Sequence, residues 1–523
     1  MANEPVNVES IIPSTLPHPT LVPFQPHHAS ISDMPNDVLV LIFQEIFKSV
    51  MPSRRWTRNG LEFPESVASV CSQWRAVMFS VSIFWAAMLI TVDDNPTPQS
   101  VIRRYLTLSK ERPLDITICR DEMSLLRARV SEDPEYRARL ADPVEKWRMA
   151  AVMDLLTPHQ ARWERLSVHV VHSTSLPQPY LDLRGAFPSL KYLFMHCVLD
   201  EGPDERFAPT TVNIDDPILD ECFAPTTGNM DIPILELMEA SGLFLRQMSG
   251  TTFPNLDELT IEEYPRHYPP WTTTGLVKCI RKMPALLTLR LDNVSLELLD
   301  DELPDDDYAS KLKLVDFRHM SGDVLENLNA LLDWPVLEAV VYNDCSIPRP
   351  TELFRASHYG AIKCMQTEQD VLNVLRDWDD EDCTRLHITN SAFTENIINA
   401  LSEPQPDGSW MCPYLTDLNL SGFCQGFSNC EPAQVAFIRM VKIRHAMHAN
   451  IESAASEHAD FAVSSLEEIK VNVQGNGQEI STEALEWLDA NVPVVTWGDW
   501  SGGTQQFSDS ASSFEDAEDS SEE

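Results

Sequence analysis

A skeleton of the form LxxLxL, usually led by a bulky residue and a proline, returns along this chain and limits its fold more than any other feature. It stands as FPSLKYLFMHC at 187, FPNLDELTIEE at 253, MPALLTLRLDN at 283, ASKLKLVDFRH at 309, WPVLEAVVYND at 334, CPYLTDLNLSG at 412 and VSSLEEIKVNV at 463. Weaker copies lie at ARWERLSVHVV (161) and around Cys383, Leu386 and Ile388. The last two apolar positions, such as Leu259 and Ile261, alternate as in a strand, and the first, such as Leu256, turns in from the preceding loop. From Leu256 to Leu286, Leu312 and Leu337 the steps are 30, 26 and 25 residues, room for a strand, a loop and a returning helix. TTGLVKCIRK (273–282) and GDVLENLNALLD (322–333) suit those helices. One such unit cannot bury its apolar face alone, so stacked copies must share a core.

The pattern resembles a leucine-rich-repeat solenoid of the strand-plus-helix kind. That resemblance implies an α/β fold, a right-handed but irregular strand/helix superhelix over 161–500, whose concave strand side holds a partner. The asparagine expected three residues after the final Leu is mostly replaced, by Tyr264, Val294, Met320 and Phe423, and only Cys345 conforms. An ordinary α/β domain can carry the same period. Thr260, Arg290, Asp316 and Asn419 are the strand-side residues expected to face a client.

Acidic residues outnumber basic ones 80 to 39, and a net charge of −41 repels a phosphate backbone, which excludes nucleic acid as a general partner. The segment 501–523 carries seven of the excess acids and no base, and reads as a disordered tail. Prolines at 5, 13, 17, 19, 23 and 26 make 1–29 a disordered arm. No basic stretch leads into an apolar run near the start, and no run of about 18 apolar residues occurs, so neither secretion nor a membrane span is expected. Eleven cysteines without a CxxC pair read as reduced thiols of a cytoplasmic or nuclear protein. Residues 207–219 return as 223–235, identical at ten of thirteen positions, which marks a duplicated loop insertion near 200–240.

Between the arm and the repeats, 30–90 reads as a compact helical domain, and 91–160 as linking helices around a first strand, PLDITICR (113–120). In MPNDVLVLIFQEIF (34–47), eight of the ten residues from Val38 are apolar. Leu39, Ile42, Phe43 and Ile46 form one stripe, yet Val38, Val40, Leu41 and Phe47 cover most of the remaining circumference. A helix apolar all round must be buried on more than one side. Pro64 can start a second helix with Val67, Val70, Cys71, Trp74 and Met78 on one face, and Phe84 and Trp85 close the unit.

The order MPNDVLVLIF, SVCSQWRAV, IFW resembles the F-box, a three-helix module that docks on the Skp adaptor of SCF ubiquitin ligases. Met34 stands where Leu is more usual, and KSVMPSRRWTRNGLE is longer than the family's linker. With the repeats behind it, the chain resembles the F-box/leucine-rich-repeat proteins of mushroom-forming fungi. The resemblance implies an adaptor interface at Met34, Pro35, Leu39, Ile42, Phe43, Ile46, Val67, Cys71 and Trp74, with cullin reached through Skp and an unidentified protein client held by the repeats. It leaves the chemistry to other subunits. The competing expectation is a non-catalytic repeat scaffold whose F-box-like helices are an internal cap. No phosphate-binding loop, nucleophile elbow, HExxH or zinc-spaced Cys/His cluster occurs, so no enzyme activity, cofactor or metal is expected. His445 and His448, at i and i+3, are expected to be packed or solvated rather than metal ligands.

Overall fold

The computed structural model describes residues 34–50, 63–120, 143–179, 181–199, 230–264, 271–298, 310–332, 337–350, 353–376, 378, 383–405, 408–423, 431–454, 463–473 and 480–505. The arm, the acidic tail beyond 505, the linker from 51 to 62 and the first copy of the duplicated loop lie outside them. Two units separate, one formed by the helices up to Val81 and the other by the chain from Ser82 onward.

The first unit contains α1 (Asn36–Val50), α2 (Glu65–Ser69) and α3 (Ser72–Ser80). Asp37 lies in the first turn of α1 and Lys48 in its last, so both charges complement the helix dipole. The second helix expected from Pro64 is in fact two. Cys71 adopts an extended backbone and its Sγ accepts the Trp74 N–H at 3.4 Å, capping α3 and ending the helical run at Val70. Gln73 Nε2 donates to the Met34 carbonyl at 2.9 Å and to Asn36 Oδ1 at 3.1 Å, tying α3 to the start of α1.

The second unit is built on one sheet. Its strands are β1 (Ala87–Thr91), β2 (Leu114–Cys119), β3 (Trp163–His172), β4 (Tyr192–Leu199), β5 (Leu237–Ser241), β6 (Glu258–Tyr264), β7 (Thr288–Val294) and β8 (Leu314–Arg318), followed by β9 (Leu337–Asn343), β10 (Ala356–Lys363), β11 (Arg385–Thr389), β12 (Asp417–Phe423), β13 (Glu468–Val473), β14 (Val494–Trp497) and β15 (Trp500–Gly502). Among the described residues these 15 strands pair in chain order, so each turn of chain adds one strand beside the last, as in a solenoid. All neighbours are parallel except β14 and β15, whose hairpin ends the sheet.

Two columns of side chains run across the strands. Leu259, Leu289, Val315 and Val340 are neighbours in one, and Ile261, Leu291, Phe317 and Tyr342 in the other. All eight are buried. Returning helices cover this face, including α7 (Thr273–Ile280), α8 (Gly322–Leu331), α9 (Glu368–Arg376) and α10 (Glu395–Ser402), which follow α4 (Gln99–Leu108), α5 (Pro143–Leu156) and α6 (Gly242–Gln247). Threonines start several of them: Thr272 Oγ1 accepts the Gly275 N–H at 2.9 Å, and Thr394 caps α10 in the same way.

From β6 to β12 the chain leaves each strand through one left-handed residue. Glu263, Asn293, His319, Asp344, Cys364 and Asn390 have φ between 49° and 55°, and Gly422 has 75°, each two residues after the second buried column. That conformation costs a non-glycine residue about 1–2 kcal/mol. It returns a hydrogen bond, because the same residue's N–H continues the ladder: Asp344 to the Lys363 carbonyl at 2.8 Å, Cys364 to Thr389 at 2.8 Å, Asn390 to Ser421 at 2.8 Å. The next residue then turns inward, which is why Tyr264, Val294 and Met320, where asparagine was expected, are buried.

β5 and β10 interrupt the run of LxxLxL-type copies that extends from β3 to β13. In β10 the first column position is Gly360, and a Cβ there would lie 2.5 Å from the Trp378 ring. The fully buried Trp378 indole fills the space a leucine side chain fills elsewhere, and its Nε1–H donates to the Phe354 carbonyl at 3.2 Å. Gly360→Ala should therefore lower the stability of the repeat unit by about 1–3 kcal/mol, read as a shift in its denaturation midpoint. Adding Trp378→Leu should cost less than the two single effects summed, since each change relieves the other.

Candidate functional site

The helical unit sorts the nine adaptor-interface residues into two groups. Leu39 and Phe43 have no exposed surface, and the Phe43 ring meets Trp74 edge-on with centroids 4.9 Å apart. These two are core, and their expected place on the interface is corrected: no side-chain surface remains for a partner to touch. Pro35 and Ile42 are exposed, while Met34, Ile46, Val67, Cys71 and Trp74 are half-buried. Cys71 and Met34 also have internal duties, one capping α3 and the other accepting the Gln73 hydrogen bond.

The outward surface is more apolar than those nine residues suggest. Leu41 is 62 % exposed, Val70 58 %, Val38 41 % and Ile42 39 %. Leu41 and Val38 belong to the second apolar side of α1, and the break before α3 leaves Val70 facing water. A stripe counted at i, i+3, i+4 and i+7 cannot tell which side is inner when both are apolar. The signal that separates them lies in α3, where Trp74 meets Phe43 on the inner side of α1. Phe84 and Trp85, the third piece of the sequence pattern, belong to the repeat unit, where both are buried and Trp85 meets Tyr105 of α4 edge-on at 5.1 Å.

In the repeat unit, the sheet face opposite the two buried columns is polar. Arg290 Nε donates to Asp316 Oδ2 at 2.8 Å, and Arg318 donates to the same oxygen at 2.9 and 3.1 Å. Asp316 and Thr260 are buried, so two of the four residues expected to face a client have little surface to offer. Asn419 is half-exposed, and nearby Arg385 bonds Asp417 at 2.8 Å. Burial pushes the Asp417 carboxyl above the usual range, against the pull of Arg385. His445 and His448 are used in packing: His445 meets Trp487 edge-on at 5.8 Å, and His448 Nδ1 lies 3.2 Å from the Val463 carbonyl.

No protein-family model matches the chain, and no curated protein matches it either. Among the described residues no helix is long and apolar enough to cross a membrane.

The two groups of helical residues should respond oppositely to substitution. Leu41→Asp should leave the thermal unfolding of the helical unit within about 0.5 kcal/mol of the unmodified chain. Phe43→Ala should cost about 3–5 kcal/mol in the same measurement.

Proposed function

We propose that the chain is a substrate-recognition subunit of an SCF-type ubiquitin ligase, with the helical unit as an F-box that binds Skp and the repeats as the client-holding part. The observation that carries this reading is α1 itself. Leu39 and Phe43 make its inner side, and Val38, Leu41 and Ile42 leave an apolar outer side uncovered on a unit of three short helices. Grouped exposed apolar side chains on a small domain mark interaction surfaces.

The energetics fit a module rather than a lone helix. Completing the burial of Val38, Leu41, Ile42 and Val70, each already partly covered, gains about 3–6 kcal/mol, roughly half of full burial. Association costs about 4–15 kcal/mol. These residues would therefore supply specificity and part of the affinity, with Ile46 and Val67, both half-buried, as further candidates. A scaffold whose helices are only a cap has one observation in its favour, the use of Phe84 and Trp85 by the repeat unit.

Co-purification separates the two. The unmodified chain, expressed with Skp, should retain it, and Leu41→Asp combined with Ile42→Asp should abolish the complex while circular dichroism of the repeats stays unchanged. Pro35→Ala should weaken it less. Failure of the unmodified chain to retain Skp sinks the receptor reading.

A further inference from the structure

On the polar face of the sheet, His196, Glu239 and Glu262 converge from β4, β5 and β6. His196 Nδ1 lies 2.9 Å from Glu262 Oε2, and Nε2 lies 3.6 Å from Glu239 Oε1. One ring nitrogen and one oxygen from each carboxylate lie within 4.8 Å of one another. The parallel register creates this meeting. Glu262 pairs with Ser241 on β5, and Ser241 Oγ is turned away to cap α6 through the Phe244 N–H, so nothing large separates His196 from Glu262. Glu239 reaches the same imidazole from one row below.

We propose that these three side chains form a site for a divalent first-row metal ion of the zinc class. One imidazole and two carboxylates match the mixed nitrogen and oxygen donors such ions take, whereas calcium and magnesium prefer oxygen alone. Metal–donor bonds of about 2.0–2.2 Å put donor pairs about 3–4 Å apart. The ion would thus widen the 2.9 Å contact slightly and draw the widest pair inward by side-chain rotation. His196 is already held in plane: its ring stacks on His169 with centroids 4.7 Å apart at 18°, and His169 Nε2 is 2.8 Å from Ser167 Oγ. The stack limits rotation of the His196 ring.

Electrostatics favour a dication at this point. Two carboxylates share a half-buried position beside a single imidazole. An ion between them offsets their repulsion. Three protein donors leave at least one position open toward solvent, as in sites that bind an exogenous group. The proposal stands independently of the ligase reading.

Zinc binding to the full-length chain, measured by calorimetry against a competing chelator, tests it, with cobalt as a spectroscopic probe. One zinc per chain should bind, and cobalt should give visible d–d bands. His196→Ala and the isosteric Glu262→Gln should each raise the zinc dissociation constant at least about tenfold. His319→Ala is the control, because His319 also bridges two acids, with Nδ1 2.7 Å from Asp292 and Nε2 3.7 Å from Asp344. It should leave the constant unchanged. Absence of zinc binding overturns the proposal, and so does binding that survives Glu262→Gln in a folded chain or that His319→Ala removes.

Discussion

Everything in the repeat unit depends on one constraint: each strand must arrive beside its predecessor in the register that keeps two buried columns continuous. A slip of one residue turns every inward side chain to the solvent face. Leu418 beside Leu386 and Leu420 beside Ile388 are therefore specified jointly, and the polar row of Arg385 beside Asp417 follows from the same alignment. The parallel ladder fixes spacing along the sheet, and the buried columns fix its phase.

The left-handed residue after each strand from β6 to β12 is where that constraint acts on the backbone. A chain leaving the ladder must turn sharply without abandoning its last N–H, and φ near 50° does both. Asn293, Asp344 and Asn390 are the residue types that tolerate this conformation best, whereas Glu263 and Cys364 do so only because the surrounding ladder holds them. The turn also sends the following side chain inward. At that position Tyr264 and Val294 supply apolar bulk, and Ser391 has a polar role, accepting the Met365 N–H at 3.1 Å. Cys345 donates its Sγ–H to the Phe317 carbonyl at 3.3 Å. The turn keeps the same geometry from strand to strand while the chemistry that supports it varies.

Much of the sheet was legible because a strand that buries one face writes its period into adjacent residues. Leu259 and Ile261, or Leu418 and Leu420, reveal β6 and β12 without any tertiary knowledge. β10 was hidden because its column is completed by Trp378, eighteen residues after Gly360, and a space filled from elsewhere leaves no local period. β5 was hidden because Met238 and Ala240 are too ordinary a pair to stand out. The helical unit was half legible: an excess of apolar surface on α1 was plain, but its assignment to inner and outer sides rests on which side Trp74 meets. The break at Val70 and Cys71 had no local warning, since cysteine is an uncommon cap. His196, Glu239 and Glu262 lie up to 66 residues apart, and no spacing rule joins them until the register does.

The polar face shows how an acidic chain can present selected charges. Asp316 accepts hydrogen bonds from both Arg290 and Arg318, so three charged groups are engaged with one another and only part of each arginine remains at the surface. Removing either arginine would leave a buried carboxylate short of a partner, the costly case for a buried pair. That network therefore works as fixed structure. Where carboxylates gather with one imidazole instead of two guanidiniums, as at Glu239 and Glu262, the negative charge is less fully matched. The same sheet thus carries a neutralised stretch at β7 and β8 and an electron-rich stretch at β4 to β6, and a ligand drawn to this face by charge has its strongest reason to settle on the second.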